Sequence, residues 1–364
     1  MRTGNRFLLF ILLVLITGCQ STFGPRALEQ THPAYNEAIV GSLNQQMLRN
    51  VVRLRYRDVP FYLDVGSVTA SLSLDTNAAL NADVDIGPGG NILSPGIGIA
   101  YSQSPTISYT PLRGENLLKS ILSPIRLESI LVMTQSGWSI ERVFGLCLER
   151  INNLANAPTA SGPTPISEPV YLDFKKLLGL LRNLQEAGLI EIGTEQAGET
   201  QNIVIKFITG DPSYTGVFAE IRRLLGLDED TDRFVLNTDF LELSKEQWSL
   251  RTRSITSLLY YLSQNVAVPE EHRVSGLVTT TRTKNGTPFD WNSTPAGNLF
   301  RVNVSAERPT SAYVTTYYRG HWFYIADNDL QSKSTFMLLR QLFNLQAGQT
   351  KFEGPTLTLP VGGR

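Results

Sequence analysis

The segment LLGLLRNLQEAGLIEIG, which runs from Leu177 to Gly193, decides the predicted fold class of this chain. Its leucines recur at spacings of three and four residues, which is typical of the buried face of a helix. Gly188 is of the residue type that most often follows a helix end, and the apolar residues from Leu189 to Ile192 indicate a strand. A helix followed at once by a strand predicts an α+β fold of mixed helices and short antiparallel strands.

Similar patterns extend outward from this segment. Residues 36–56 are predicted to form a helix capped by Asn36, whereas residues 61–74 and 97–110 alternate between apolar and polar types as strands do. The residues between these two strands are rich in Gly and Asn and predict a loop. Pro105 has no backbone N–H, so the second strand is expected to lie at a sheet edge or to bend.

Composition divides the chain into segments. Residues 155–169 hold four prolines and almost no charge, which predicts a linker between two domains. The predicted segments are a signal peptide at 1–18, a lipidated tether at 19–35, an N-terminal α/β region with a Gly/Pro-rich loop at 36–154, the linker at 155–169, a C-terminal α+β domain at 170–353 and a tail at 354–364.

The first eighteen residues have the pattern of an export signal. Arg2 and Arg6 precede the uninterrupted apolar run Phe7–Ile16, FLLFILLVLI. Ten residues of helix rise only about 15 Å, which is about half of a bilayer core. A cleaved leader is therefore a better prediction than a retained transmembrane helix. No other apolar stretch has membrane length, so the mature chain is expected to contain no membrane-spanning helix.

The residues that follow this run, Ile16-Thr17-Gly18-Cys19, resemble the lipobox of bacterial lipoproteins. The resemblance implies that Cys19 receives a diacylglyceryl group and, after cleavage, an acyl chain such as palmitate on its new amine. Two or more chains anchor a protein stably, whereas one chain binds a membrane marginally. By resemblance to the sorting rule of diderm bacteria, Gln20 implies the outer membrane, with the body expected on its periplasmic face.

Three longer segments resemble an uncharacterised family of Gram-negative envelope lipoproteins. They are LNQQMLRNVVRLRYRDVPFYLDVGSV (43–68), PTISYTPLRGENLLKSILSPI (105–125) and WFYIADNDLQSKSTFMLLRQLFNLQAG (322–348). This resemblance implies export and a shared fold, and it implies no roles for individual residues.

The charge balance argues against a nucleic-acid partner. Lys and Arg total 32 and Asp and Glu total 33, which gives a formal net charge of −1. The segment from Leu177 to Gly193 also resembles the helix-then-strand entry of a winged helix. Because phosphate neutralisation supplies most nucleic-acid affinity, an exported chain without net positive charge is not expected to bind DNA through this segment.

The sequence predicts no catalytic residue, no metal ligand and no cofactor. The histidines His32, His272 and His321 are far apart and lack the spacing of a zinc motif. Cys147 lies in an apolar helical pattern and is expected to be a buried hydrophobe. Asp228–Asp232 begins like a calcium loop but has Arg233 where that loop needs Gly, which favours a solvated acidic turn.

An aromatic cluster near the C-terminus is the candidate interaction surface. Tyr318, Trp322 and Tyr324 are expected on related faces of a hairpin, where they would contact a partner or pack in the core.

Three functions remain open from the sequence. The leading expectation is a lipid-anchored envelope protein that is not an enzyme and acts by contact, as a structural or assembly component with a protein partner. One alternative is a subunit of an oligomeric outer-membrane pore or secretion apparatus, in which each copy donates the alternating segments 61–74 and 97–110 as membrane-crossing strands. The other is a periplasmic hydrolase that uses His272 or His321.

Overall fold

The computed structural model describes residues 25–82, 93–111, 115–163, 165–241, 243–347 and 357–360. These residues form two compact units. The first contains the described residues up to Phe61 and those from Glu115 to Ala347, and the second contains those from Tyr62 to Pro111 together with Leu357–Pro360. Helices and mainly antiparallel sheets confirm the predicted α+β class. Within the described ranges, every helix is too short or too polar to cross a membrane.

The first unit starts with a long helix, α1 (Pro25–Arg55). Its later turns bury Leu48, Val51 and Val52 in the core. The remaining helices of this unit are α2 (Glu115–Leu122), α3 (Leu127–Gln135), α4 (Ile140–Cys147), α5 (Leu172–Glu186), α6 (Thr215–Leu225), α7 (Ile255–Ser263), α8 (Glu270–Val274), α9 (Pro295–Leu299) and α10 (Leu330–Ala347).

The predicted tether is partly helical. Residues 19–24 lie outside the described residues, but from Pro25 onward the chain belongs to α1, and Asn36 is an interior residue of that helix and not its cap. Proline is well tolerated in a first helical turn. Pro33 lies inside the helix, where proline is disfavoured, which explains why the sequence predicted a later start.

Two sheets complete the first unit. The larger contains β3 (Leu148–Ile151), β4 (Leu154–Ala155), β5 (Ile190–Ala197), β6 (Thr200–Phe207), β7 (Arg233–Asn237) and β8 (Gln247–Thr252), in the order β4-β3-β8-β7-β6-β5. Its pairs are antiparallel except β7 with β8. The smaller has β10 (Ala312–Tyr318) beside β11 (His321–Ala326), which also pairs with β9 (Asn303–Ser305).

The predicted boundary at residues 155–169 does not separate two domains. The larger sheet takes β3 and β4 from before this segment and β5 to β8 from after it. Asn156, which is fully buried, donates its amide to the carbonyls of Gly145 and Leu148 and accepts a hydrogen bond from the Tyr261 hydroxyl. These bonds hold the proline-rich segment within the first unit, which composition alone does not reveal.

Local sequence patterns predicted several helix ends correctly. The hydroxyl oxygens of Ser139 and Ser254 accept hydrogen bonds from the N–H groups of Arg142 and Ser257, as N-caps do. Gly188 has φ +69° after α5, and Asp329 accepts from the N–H of Ser332 at the start of α10.

The second unit is a long antiparallel hairpin of β1 (Leu63–Ala82) and β2 (Leu93–Pro111), with the short strand β12 (Leu357–Pro360) paired to β2. Both strands continue into the predicted loop at 75–96, of which residues 83–92 lie outside the described residues. Asn and Ala are poor strand formers, so pairing between the two strands outweighs local propensity here.

β2 is the middle strand of the order β1-β2-β12 only where β12 covers it, and at Pro105 it lies at the edge of the described sheet, as predicted. β12 pairs with it only from Thr106 to Tyr109, so Pro105 lies immediately beyond that pairing.

The side chain of Asn50 binds Phe61, the last residue of the first unit before the hairpin. Asn50 is 1% exposed. Its amide donates to the carbonyl of Phe61 at 2.8 Å and its oxygen accepts from the N–H of Phe61 at 3.0 Å. Both backbone groups of Phe61 are therefore bound to a single carboxamide.

Candidate functional site

The hairpin of the second unit has two faces of different composition. In an antiparallel pair, residues directly opposite one another belong to the same face of the sheet. On the mostly apolar face the opposite pairs are Val68 and Ile107, Ala70 and Pro105, Leu72 and Gln103, Leu74 and Tyr101, Thr76 and Ile99, Ala78 and Ile97, Leu80 and Pro95, and Ala82 and Leu93.

The other face consists of small and polar residue types. Its opposite pairs are Thr69 and Thr106, Ser71 and Ser104, Ser73 and Ser102, Asp75 and Ala100, Asn77 and Gly98, Ala79 and Gly96, and Asn81 and Ser94. The hairpin is therefore amphipathic along its whole length beyond the irregularity between Val65 and Ser67.

The length of the hairpin exceeds what a membrane requires. β1 has 20 residues and β2 has 19, whereas about 9–11 tilted residues cross a bilayer core. Within the described residues β1 pairs with β2 alone, so no second strand runs along its other edge. An isolated two-stranded hairpin is only marginally stable in water.

The first unit contains a second candidate site, formed by Glu271, His272 and His321. Glu271 and His272 lie in α8, and His321 is the first residue of β11. The Nε2 atoms of His272 and His321 lie 3.8 Å and 3.5 Å from the same carboxylate oxygen of Glu271, and the two rings meet edge to face with centroids 5.2 Å apart. The fold thus brings together His272 and His321, which are 49 positions apart in the chain.

Both histidines bind oxygen through their other ring nitrogen. Nδ1 of His272 is hydrogen bonded to the Tyr56 hydroxyl at 2.8 Å, and Nδ1 of His321 lies 3.4 Å from the Arg319 carbonyl oxygen. These contacts orient the rings so that both Nε2 atoms face the carboxylate of Glu271.

Burial and charge set the protonation of this site. Burial lowers the pKa of His272, and the positive charges that His321 and Arg319 can carry lower it further against the opposing effect of Glu271. The lowered pKa favours the neutral form of the His272 ring. Burial raises the pKa of Tyr56 to about 12, so its hydroxyl keeps its proton.

An ion pair between Asp58 and Arg319 lies beside this site. The Tyr318 hydroxyl and the Arg319 guanidinium both donate to one carboxylate oxygen of Asp58, the second at 2.9 Å. Burial opposes ionisation of Asp58, but these two hydrogen bonds outweigh it and lower the pKa of that carboxyl. Arg319 also lies over the Tyr56 ring, 5.1 Å from its centroid.

The predicted aromatic surface is divided between two faces. Tyr318 is opposite His321 in the register, whereas Trp322 is opposite Tyr317 and shares its face with Tyr324. Tyr318 packs towards Tyr56, and Tyr317, which is 51% exposed, contacts Trp322 at a centroid distance of 5.2 Å. The grouping of Tyr318 with Trp322 and Tyr324 was therefore wrong, because the tight turn at Arg319-Gly320 reverses the parity of the faces.

The remaining candidates are placed as follows. Cys19 lies outside the described residues, and His32 lies in α1. Cys147 is buried as predicted, and burial raises the pKa of its thiol to about 12, which makes it unreactive. Asp228 accepts from the N–H of Asp230 in a turn of exposed acidic residues.

The sequence missed the convergence of Glu271, His272 and His321. A helix and a strand bring these residues together, so no spacing within one element signals it. In the described part of the chain the hydrogen bonds of the ring nitrogens of both histidines go to Tyr56 and Arg319, and none goes to a serine, threonine or cysteine side chain.

Comparisons of the chain with protein-family models, with curated proteins and with solved structures found no match. The candidate function therefore depends on the geometry described above and on the resemblance of the leader.

Proposed function

We propose that this protein is a lipid-anchored subunit of an oligomeric outer-membrane pore, and that each copy donates the β1–β2 hairpin to the wall of that pore. The observation that carries the proposal is the amphipathic register of two strands of 20 and 19 residues. The mostly apolar face suits lipid, and the face of Ser, Thr, Asn and Gly suits a water-filled passage.

Backbone hydrogen bonding requires several copies. In hydrocarbon every N–H and C=O group needs a partner, and an open strand edge is not tolerated. A single hairpin leaves such edges, whereas hairpins from neighbouring copies that close into a ring leave none. The leader resemblance supports the membrane to which this ring would belong, since acylated Cys19 would hold each body at the bilayer surface.

In the sequence between the two strands, residues 83–90, DVDIGPGG, include two aspartates and three glycines. β12 pairs with Thr106–Tyr109 of β2, near the end of the hairpin where β1 begins and β2 ends.

Two measurements test the proposal. Protein purified from membranes in mild detergent is expected to have the mass of a closed oligomer, and in planar bilayers it is expected to give discrete conductance steps. A variant with residues 64–110 replaced by a short Gly-Ser linker is the matched control and should give no steps. Native protein that is monomeric and produces no conductance would refute the pore and favour a structural or assembly role by contact.

A further inference from the structure

We propose that Glu271, His272 and His321 form a binding site for a divalent transition-metal cation of the Zn²⁺ class. The site lies in the first unit and is independent of the pore. Two imidazole nitrogens and one carboxylate oxygen are ligands that Zn²⁺, Fe²⁺, Co²⁺ and Ni²⁺ accept, whereas Mg²⁺ and Ca²⁺ prefer oxygen alone.

The distances among the ligand atoms suit one ion. Zn–N and Zn–O bonds of about 2.0–2.2 Å place two ligands of a tetrahedral ion roughly 3.3–3.5 Å apart. The two histidine–carboxylate distances are 3.5 Å and 3.8 Å, and all three ligand atoms lie within 4.8 Å of one another. Small rotations of the side chains would bring them onto an ion, since the Glu271 side chain is 69% exposed and free to adjust.

The contacts behind the two rings leave both Nε2 atoms facing the carboxylate of Glu271. A carbonyl oxygen accepts hydrogen bonds only, so the contact with Arg319 places the proton of a neutral His321 on Nδ1 and leaves a lone pair on Nε2. An ion bound between Nε2 and the carboxylate oxygen, which lie 3.5 Å apart, would contact both ligands. The Tyr56 hydroxyl, which can donate or accept, lies behind Nδ1 of His272, and metal-binding histidines usually have an oxygen in that position.

Neighbouring charges leave Glu271 available. The adjacent Glu270 binds Arg273 through two hydrogen bonds, and Arg319 binds Asp58. Among the described residues, the basic side chains nearest the Glu271 carboxylate are those of His272 and His321. Three protein ligands would leave at least one coordination position for water, as in open zinc sites.

A bound ion would join α8 to the turn of the β10–β11 hairpin. Because a metal that binds the folded state alone stabilises that state, loading the site should raise the unfolding temperature.

The test uses the full-length protein in detergent, with ZnCl₂ in calorimetric titration and CoCl₂ in absorption spectroscopy. The expected results are one ion per chain, a rise in unfolding temperature, and a visible Co²⁺ spectrum of a tetrahedral or five-coordinate site. His321→Gln and Glu271→Gln are each expected to weaken binding at least tenfold. Both side chains are partly exposed, so these variants should fold, which circular dichroism checks.

Two variants are matched controls. Glu270→Gln changes the neighbouring glutamate, and His32→Gln changes the remaining histidine; neither should alter the affinity. Tyr56→Phe tests the positioning role of Tyr56 and is expected to weaken binding about 10- to 100-fold without changing the stoichiometry. Wild-type protein that binds no more Zn²⁺ than the His321→Gln variant would overturn the proposal, as would an affinity lost in His32→Gln.

Discussion

The hydroxyl oxygen of Tyr56 lies 2.8 Å from Nδ1 of His272, a residue 216 positions later in the chain. The two rings also meet edge to face with centroids 5.6 Å apart. This contact joins the residue that follows α1 to α8 and orients the imidazole towards Glu271. The C-terminal end of α1 is in this way connected to the candidate metal site.

Replacement of Tyr56 by Phe should reduce the stability of the first unit. The ring packing remains, but a nearly buried nitrogen of His272 loses its partner, which should cost about 1–3 kcal/mol. Chemical denaturation monitored by tryptophan fluorescence measures this loss. Tyr317→Phe removes a hydroxyl from a half-exposed ring and should change stability by less than about 0.5 kcal/mol. Equal losses in the two variants would show that the contact with His272 contributes nothing.

Asp58 should make folding stability sensitive to acid. Its pKa is lower in the folded state than in the unfolded chain, so its contribution is complete above the unfolded pKa and is lost as pH falls through the folded value. Asp58→Asn removes the charge at every pH. The difference in unfolding free energy between wild type and variant should therefore shrink on going from neutral pH to below pH ~4. A difference that stays constant over this range would contradict the role of Tyr318 and Arg319.

Asn156→Ala should be among the most destabilising substitutions of the first unit. It leaves the carbonyls of Gly145 and Leu148 and the hydroxyl of Tyr261 without their partner in a fully buried position. The expected loss is about 3–5 kcal/mol, measured by urea unfolding. Asn153→Ala, at an exposed position three residues earlier, is the matched control and should be close to neutral. A small effect at both positions would show that residues 155–169 are not held by this network.

Neighbouring residues on the two faces of β1 should respond oppositely to arginine. Leu74→Arg places a charge on the apolar face and should cost about 2–4 kcal/mol per subunit at mid-membrane, which blocks assembly. Ser73→Arg, on the other face, should permit assembly and shift ion selectivity towards anions. Planar-bilayer recordings and oligomer mass measure both effects. Equal behaviour of the two variants would contradict the assignment of the faces.

The leader can be tested by one substitution. Cys19→Ser is expected to prevent acylation, so the mature N-terminus should no longer carry lipid in mass spectrometry. Membrane fractionation should then show a smaller share of the body with the outer membrane. A wild-type protein whose N-terminus is anything other than acylated Cys19 would remove the anchor from the proposal.

The sequence predicted most of what depends on local chemistry. Serine caps at 139 and 254, the helix end at Gly188 and the burial of Cys147 all follow from residue type and periodicity. The α+β class follows from the same patterns.

Long-range pairing accounts for most of what the sequence did not predict. The strands of the hairpin extend into Asn- and Ala-rich residues because each strand stabilises the other, and local propensity does not include that term. The tight turn at Arg319 similarly decides which aromatic residues share a face with Trp322. The meeting of His272 with His321 depends on the packing of α8 against a hairpin, and no spacing within the sequence encodes it.

The double hydrogen bond between the Asn50 carboxamide and Phe61 has a consequence for how the chain can vary. It fixes the exit point from the first unit without involving any residue of the strands that follow. The two strands could therefore be longer or shorter without affecting the hydrogen bonds between Asn50 and Phe61. Adding two residues to each strand would preserve every face and extend the hairpin by about 6.6 Å, whereas adding one to each would exchange the faces beyond the insertion.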